Sequence, residues 1–180
     1  MLSLAAVLAA PAAPALADMQ AGLQAAEQGD YATAYYEWKP LADEGDPDAL
    51  FNIGRLYEDG LFVRQDLARA IDFYARAAER NHQIALFQLG TLAEAGTGME
   101  QDYVQAAKYY EASAAAGWPQ AMVNLGRLYA EGLGVEEDLD RAIELYRTAA
   151  EEHGLPKAQF NLAIRAPEEL RPGRPIEPVQ

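Results

Sequence analysis

The side chains able to do covalent or acid–base chemistry are few and scattered. His82 and His153 are the two histidines, and no His-x-x-x-His or His-Glu-x-x-His spacing joins them, whereas a metal site needs three or four convergent donors. Both fall at turns between helical stretches and read as surface turn residues. Ser113 sits on the alanine-rich face of a helix, with no histidine nearby and no nucleophile-elbow pattern. Cysteine is absent, which removes thiolate nucleophiles, disulfides and thiolate metal sites together. Neighbouring carboxylates are plentiful, among them Asp43-Glu44, Glu58-Asp59, Glu136-Glu137-Asp138 and Glu151-Glu152. They gather at helix ends and loops, where capping and solvated charge account for them better than paired acid–base work does. The pattern yields no catalytic residue, no cofactor-binding residue and no metal ligand.

The elements that would position a site are legible because the chain repeats. Gly54, Gly90 and Gly126 stand 36 positions apart, and the same step joins Ala49, Ala85 and Ala121; Gly60, Gly96 and Gly132; Asp66, Asp102 and Asp138; Ala70, Ala106 and Ala142; Tyr74, Tyr110 and Tyr146; and Ala78, Ala114 and Ala150. A fixed period of this length marks a stack of supersecondary units. Three full units are read at 48–83, 84–119 and 120–156, with a half-unit before them at 20–47 and another after them at 157–166. Each unit reads as two helices. Helix A of the first opens with Asp46 as N-cap and Pro47 at the first helical position, and Gly60 ends it in the left-handed conformation. Asp66 then caps helix B, which runs to about residue 80 with apolar positions at helical spacing. Asp102 and Gln105 form a possible capping box in the second unit. A mid-helix glycine costs roughly 1 kcal/mol against alanine, so Gly54, Gly90 and Gly126 are expected to be packing residues at a close helix crossing. They are expected to meet the Ala70, Ala106 and Ala142 row, with tyrosines filling the wider gaps.

With the packing and capping positions set aside, two polar rows remain on the A helices: Asn52, Gln88, Asn124 and Asn161, and Arg55, Thr91 and Arg127. Amides offer a peptide backbone both donors and acceptors, and a guanidinium grips a carboxylate in two-pronged fashion. Asn52, Arg55, Gln88, Asn124 and Arg127 are therefore the candidate partner-binding residues. On the other reading of the same rows, the amides satisfy carbonyls of the neighbouring repeat and the arginines are plain surface charge.

Composition narrows the partner class. Fourteen basic residues against 28 acidic ones give a net charge of -14, which repels nucleic acid and anionic lipid alike. A protein partner and a monomeric state are expected, with no cofactor. The first seventeen residues carry no charge, run apolar from Leu2 to Ala10 and end in Ala15-Leu16-Ala17, although the basic start typical of a secretory leader is missing. They are expected to be a signal peptide cleaved before Asp18, which makes the mature chain periplasmic or secreted, without membrane insertion. Residues 167–180, with Pro167, Pro172, Pro175 and Pro178, are expected to be a disordered tail.

The columns A-x-x-x-L-G-x-x-Y-x-x-G-x-G-V-x-x-D-x-x-x-A-x-x-x-Y-x-x-A-A resemble the Sel1-like repeat, a relative of the tetratricopeptide repeat. The third unit carries them from Ala121 through Gly126, Tyr129, Gly134 and Asp138 to Ala150. The first unit has Phe62 at a usual glycine, and the second has Ala93 and Met99 in place of Tyr and Val. The resemblance implies an all-α, right-handed α/α superhelical solenoid of antiparallel helix pairs, its concave surface lined by A helices over residues 18–163. It also implies a non-enzymatic protein-interaction scaffold or regulator of the bacterial envelope. The alternatives are a cell-envelope hydrolase acting on peptidoglycan or β-lactams through an unrecognised site, and a cytoplasmic adaptor. Cysteine-rich members of the family have been linked to β-lactams, but this chain lacks the cysteines of that branch.

Overall fold

The computed structural model describes residues 18–165; the expected leader at 1–17 and tail at 167–180 lie outside them. Acidic N-caps start most of the helices. Asp18, Asp30, Asp46, Asp66, Asp102 and Asp138 each accept a backbone N–H from the first turn of the helix they precede, satisfying donors that a helix start leaves free. The helices run α1 Met19–Glu27, α2 Tyr31–Glu44, α3 Pro47–Asp59, α4 Leu67–Ala78, α5 Gln83–Ala95, α6 Tyr103–Ala115, α7 Pro119–Glu131, α8 Leu139–Glu151 and α9 Pro156–Arg165. Gly60, Gly96 and Gly132 stop the A helices α3, α5 and α7 at φ of 69°, 68° and 63°. Among the described residues substantial packing joins only helices consecutive in the chain, so they form an all-helical solenoid of stacked antiparallel hairpins. Each hairpin borrows part of its core from its neighbours.

The glycine crossing differs from expectation in its partner. A Cβ on Gly54 would lie 2.7 Å from Tyr74, one on Gly90 2.7 Å from Tyr110, and one on Gly126 2.9 Å from Tyr146. The glycines thus make room for the tyrosine rings of helix B, not for the alanine row. The alanines Ala70, Ala106 and Ala142 are fully buried one turn earlier on the same helices. The reason is volume, since a wholly buried ring fits between two helix axes only where the facing residue has no side chain.

The same device recurs in the first hairpin, in altered register. Gly22 of α1 faces Trp38 of α2, whose indole would lie 2.3 Å from an added Cβ. Trp38 follows Gly22 by 16 positions, not by the 20 of the full units. The connection 28–30 is four residues shorter than 60–66, 96–102 and 132–138, and this accounts for the offset. Shortening the loop moved the numbering without disturbing the crossing.

Loops dock each unit on the one before. Gly98 and Gly134, at φ of 72° and 69°, approach Leu67 and the Tyr103 carbonyl so closely that a Cβ would fall within 2.8 Å and 2.2 Å of them. Phe62 fills the equivalent place in the first unit. It takes the same left-handed conformation at φ 65°, a strained one for a residue with a Cβ. Its ring instead joins Tyr35 and Tyr36 of α2 at centroid separations of 5.4 and 5.6 Å.

Candidate functional site

The A helices α3, α5, α7 and α9 are linked laterally by a ladder of polar contacts. Tyr74 donates its hydroxyl to Glu58 at 2.5 Å, and the Gln88 amide of the next unit donates to the same carboxylate at 3.3 Å. One unit on, Tyr110 donates to Glu94 at 2.9 Å and Arg127 of the following unit reaches Glu94 at 2.5 Å. Arg127 also pairs with Glu131 at 2.9 Å, and Glu131 in turn accepts from Arg165 of α9 at 3.2 Å. Each carboxylate ties helix A to its own helix B or to the next helix A.

Burial and neighbouring acids act together on the phenols. Burial raises the Tyr74 pKa, and its bond to Glu58 raises it further. Burial pushes the Tyr110 phenol up to about 12, with the Glu94 charge adding to the effect. Burial raises Tyr146 as well. These hydroxyls are held neutral, and those of Tyr74 and Tyr110 act as fixed donors, the opposite of what a general base requires.

The five residues singled out by the sequence are not one free row. Asn52 donates to the Asp48 carbonyl at 2.9 Å, Gln88 is a rung of the ladder, and Arg127 is half-buried between two carboxylates. Arg55 is the freest of the five, its side chain 58% exposed with Asp59 at 3.9 Å. Two hollows on the A-helix face divide the set. The first, of about 290 Å³, is lined by Asn52 and Arg55 together with Leu23, Trp38, Leu56 and Leu61. The second, of about 310 Å³, is lined by Asn124 together with Phe87, Thr91, Val123, Pro156 and Lys157. Gln88 and Arg127 belong to the ladder rather than to either hollow.

Glu58 and Glu94 share the 36-residue step, a signal that points to this ladder; in the sequence alone Glu58 falls among the acidic helix ends and Glu94 is not singled out. His82 is also more than a turn residue. Its Nδ1 accepts from the Ala85 N–H at 3.0 Å, so the proton sits on Nε2, which donates to Asp48 at 3.1 Å; its ring stacks on Phe51 at 4.8 Å. Both nitrogens are occupied in joining the first two units. Ser113 is fully buried and donates to the Gln83 carbonyl at 2.7 Å, which makes it a structural hydroxyl. Among the described residues no cluster of three His, Cys, Asp or Glu could hold a metal ion, and no helix is long and apolar enough to cross a membrane.

The family model described as the Sel1 repeat matches residues 47–82, 83–118 and 119–153. The fold is similar to that of a Sel1 repeat protein from Oxalobacter formigenes, with a TM-score of 0.73 and 31% identity over 79% of this chain and 60% of that one. It is similar also to a protective antigen of uropathogenic Escherichia coli strains that displays an SLR fold, with a TM-score of 0.75 and 31% identity over 79% of this chain and 31% of that one. The chain therefore spans less than two thirds of the length of either. No curated protein matches it.

Proposed function

Because the chain belongs to the Sel1 repeat family, whose members generally serve as protein-interaction scaffolds, we propose that it is a non-enzymatic scaffold or regulator that binds an extended segment of a protein partner along its A-helix face. One observation carries this reading. The two hollows on that face are mostly apolar, each holds an amide from the same repeat column, Asn52 or Asn124, and each has a cation at its edge, Arg55 or Lys157. Apolar pockets separated by polar rungs suit alternate side chains of an extended peptide, and the Oδ1 of Asn52, whose Nδ2 is held by the Asp48 carbonyl, is left to accept from its backbone. Lys157 is a local positive point in a field of net charge -14, while Arg55 shares its hollow with Glu27 and Asp59, so the second hollow favours a partner carboxylate and the surrounding acids disfavour polyanions.

The working place proposed is the bacterial envelope, supported by the uncharged apolar leader ending in Ala15-Leu16-Ala17. Intact-mass measurement of protein from envelope and cytoplasmic fractions tests that placement; a product retaining Met1–Ala17 in the cytoplasm would contradict it. For the surface, the test is recovery of partners from envelope extract by wild-type and Asn52→Ala/Arg55→Ala protein, with folding checked by circular dichroism. Truncating a central arginine should weaken capture by at least about 2 kcal/mol. Equal recovery would move the surface elsewhere.

A further inference from the structure

The two hollows on the A-helix face share an amide column and apolar walls, and they differ in charge. The first is walled by Leu23, Leu56 and Leu61 and carries Glu27, Arg55 and Asp59, all three exposed to solvent. Two carboxylates against one guanidinium leave it one net negative charge, and even that cancellation is loose. Arg55 and Asp59 approach only to 3.9 Å, with side chains 58% and 45% exposed, a pair that water weakens. Glu27 forms no ion pair among the described residues. The second hollow has the opposite sign, with Lys157 its one charged lining residue among those described.

The first hollow also has the build for a particular occupant. Its volume of about 290 Å³ is many times the roughly 10–15 Å³ that one water requires. Leucine walls suit the hydrocarbon stem of a long side chain whose charged head stays at the wet margin, and lysine and arginine are made that way. Such a head finds acceptors there: the two carboxylates, and the Oδ1 of Asn52, whose Nδ2 is held by the Asp48 carbonyl. A carboxylate entering the same hollow would face Glu27 and Asp59, a like-charge juxtaposition that an interface avoids.

We propose that the first hollow seats a lysine or arginine side chain of the partner segment, opposite in sign to the carboxylate that suits the second hollow. The segment then lies across the A-helix face in one direction, its basic residue over α1–α3 and its acidic residue over α7–α9. This seating rests on the partner surface proposed above and adds the sign of each end. Arg55 lends the hollow its stem while its head stays with Asp59, so truncating it removes packing surface for the incoming side chain.

The experiment titrates three probes with one five-carbon stem, n-pentylammonium chloride, 1-pentanol and sodium hexanoate, into the full-length labelled chain at neutral pH and constant ionic strength. NMR follows the Trp38 indole N–H and the Asn52 side-chain amide for the first hollow, and the Asn124 side-chain amide for the second. Saturable shifts at Trp38 and Asn52 are expected from pentylammonium at about tenfold lower concentration than from pentanol, with hexanoate shifting Asn124 and leaving Asn52 in place. In Glu27→Gln/Asp59→Asn protein the ammonium should lose that tenfold advantage, and the persisting pentanol shift shows that the hollow is intact. Equal response to ammonium and pentanol in wild type, a preference for hexanoate at Asn52, or no saturable shift from any probe would overturn the seating. An ammonium shift seen only in Arg171→Gln/Arg174→Gln protein would overturn the external source, because the chain's own arginines would then already fill the hollow. Asn52 signals that move with protein concentration in the absence of any probe would give the hollow to a second copy instead. Unsorted probes in protein whose partner capture still depends on Asn52 and Arg55 would overturn the sign of the ends and keep the surface. Sorted probes with capture indifferent to both residues would overturn the surface itself, and the seated basic residue with it.

Discussion

The α5–α6 and α7–α8 hairpins share a backbone path, a glycine crossing and a wholly buried tyrosine, and they differ in how that tyrosine is satisfied. In the first, Glu94 accepts from Tyr110 and from Arg127, and Gln101 donates to the Glu94 carbonyl at 2.8 Å. In the second, Ala130 replaces the glutamate and Glu137 replaces the glutamine; an ionised glutamate has no proton to donate. The helices nonetheless end and cross alike. The apolar crossing therefore carries the fold, and the polar ladder adjusts stability and joins one unit to the next.

The largest effect should come from closing the crossing itself. Gly90→Leu and Gly126→Leu each drive a side chain into a buried tyrosine ring, and each should cost about 3 kcal/mol or more in urea unfolding. Equal losses in the two hairpins would support the comparison, and a loss confined to α5–α6 would break it. Glu94→Ala comes next. It orphans the Tyr110 hydroxyl and takes one carboxylate from Arg127, at an expected cost of about 1–3 kcal/mol. The reciprocal change, Ala130→Glu, should stabilise α7–α8 by up to about 1 kcal/mol by giving Tyr146 an acceptor, seen as a higher Tm at neutral pH.

Alkaline titration sharpens the comparison further. The folded Tyr110 is pushed from its ordinary 10.0 up to about 12, so folding favours its neutral form. The resulting stabilisation is complete below pH 10 and is lost as pH rises through about 12, because the unfolded chain ionises first. Denaturation followed between those limits should show a shallower loss in Tyr110→Phe than in wild type. Identical slopes would mean that this phenol does not govern the alkaline limb.

Element boundaries were legible because the chain marks them with residues of one local role each: aspartate before a helix, proline at its first turn, glycine after it. Repetition then turned a weak local signal into a fold. What one hairpin buries against another depends on helix rotation, which a period does not encode. The mid-helix glycines were accordingly identified as packing residues but assigned the wrong partner, one turn away. The Gly22–Trp38 crossing escaped because a loop four residues shorter breaks the 36-residue step while leaving the contact intact. At the candidate surface, the amide column was visible but its division was not. Whether Arg127 stands free or lies between Glu94 and Glu131 is decided by residues 33 positions before it and 4 after. Phe62 was visible as a departure from glycine, and the aromatic cluster it forms with Tyr35 and Tyr36 follows from the preceding helix, not from its own unit.

The claim that the A-helix face is the working surface is tested most directly by photo-crosslinking in the native host. A benzophenone side chain is placed in turn at Asn52 and Asn124, in the two hollows, and at Asp72 and Glu144, exposed on the outer helices α4 and α8. The account predicts one and the same protein crosslinked from both hollow positions and absent from both outer ones. Capture from Asp72 and Glu144 with none from Asn52 or Asn124 would contradict it.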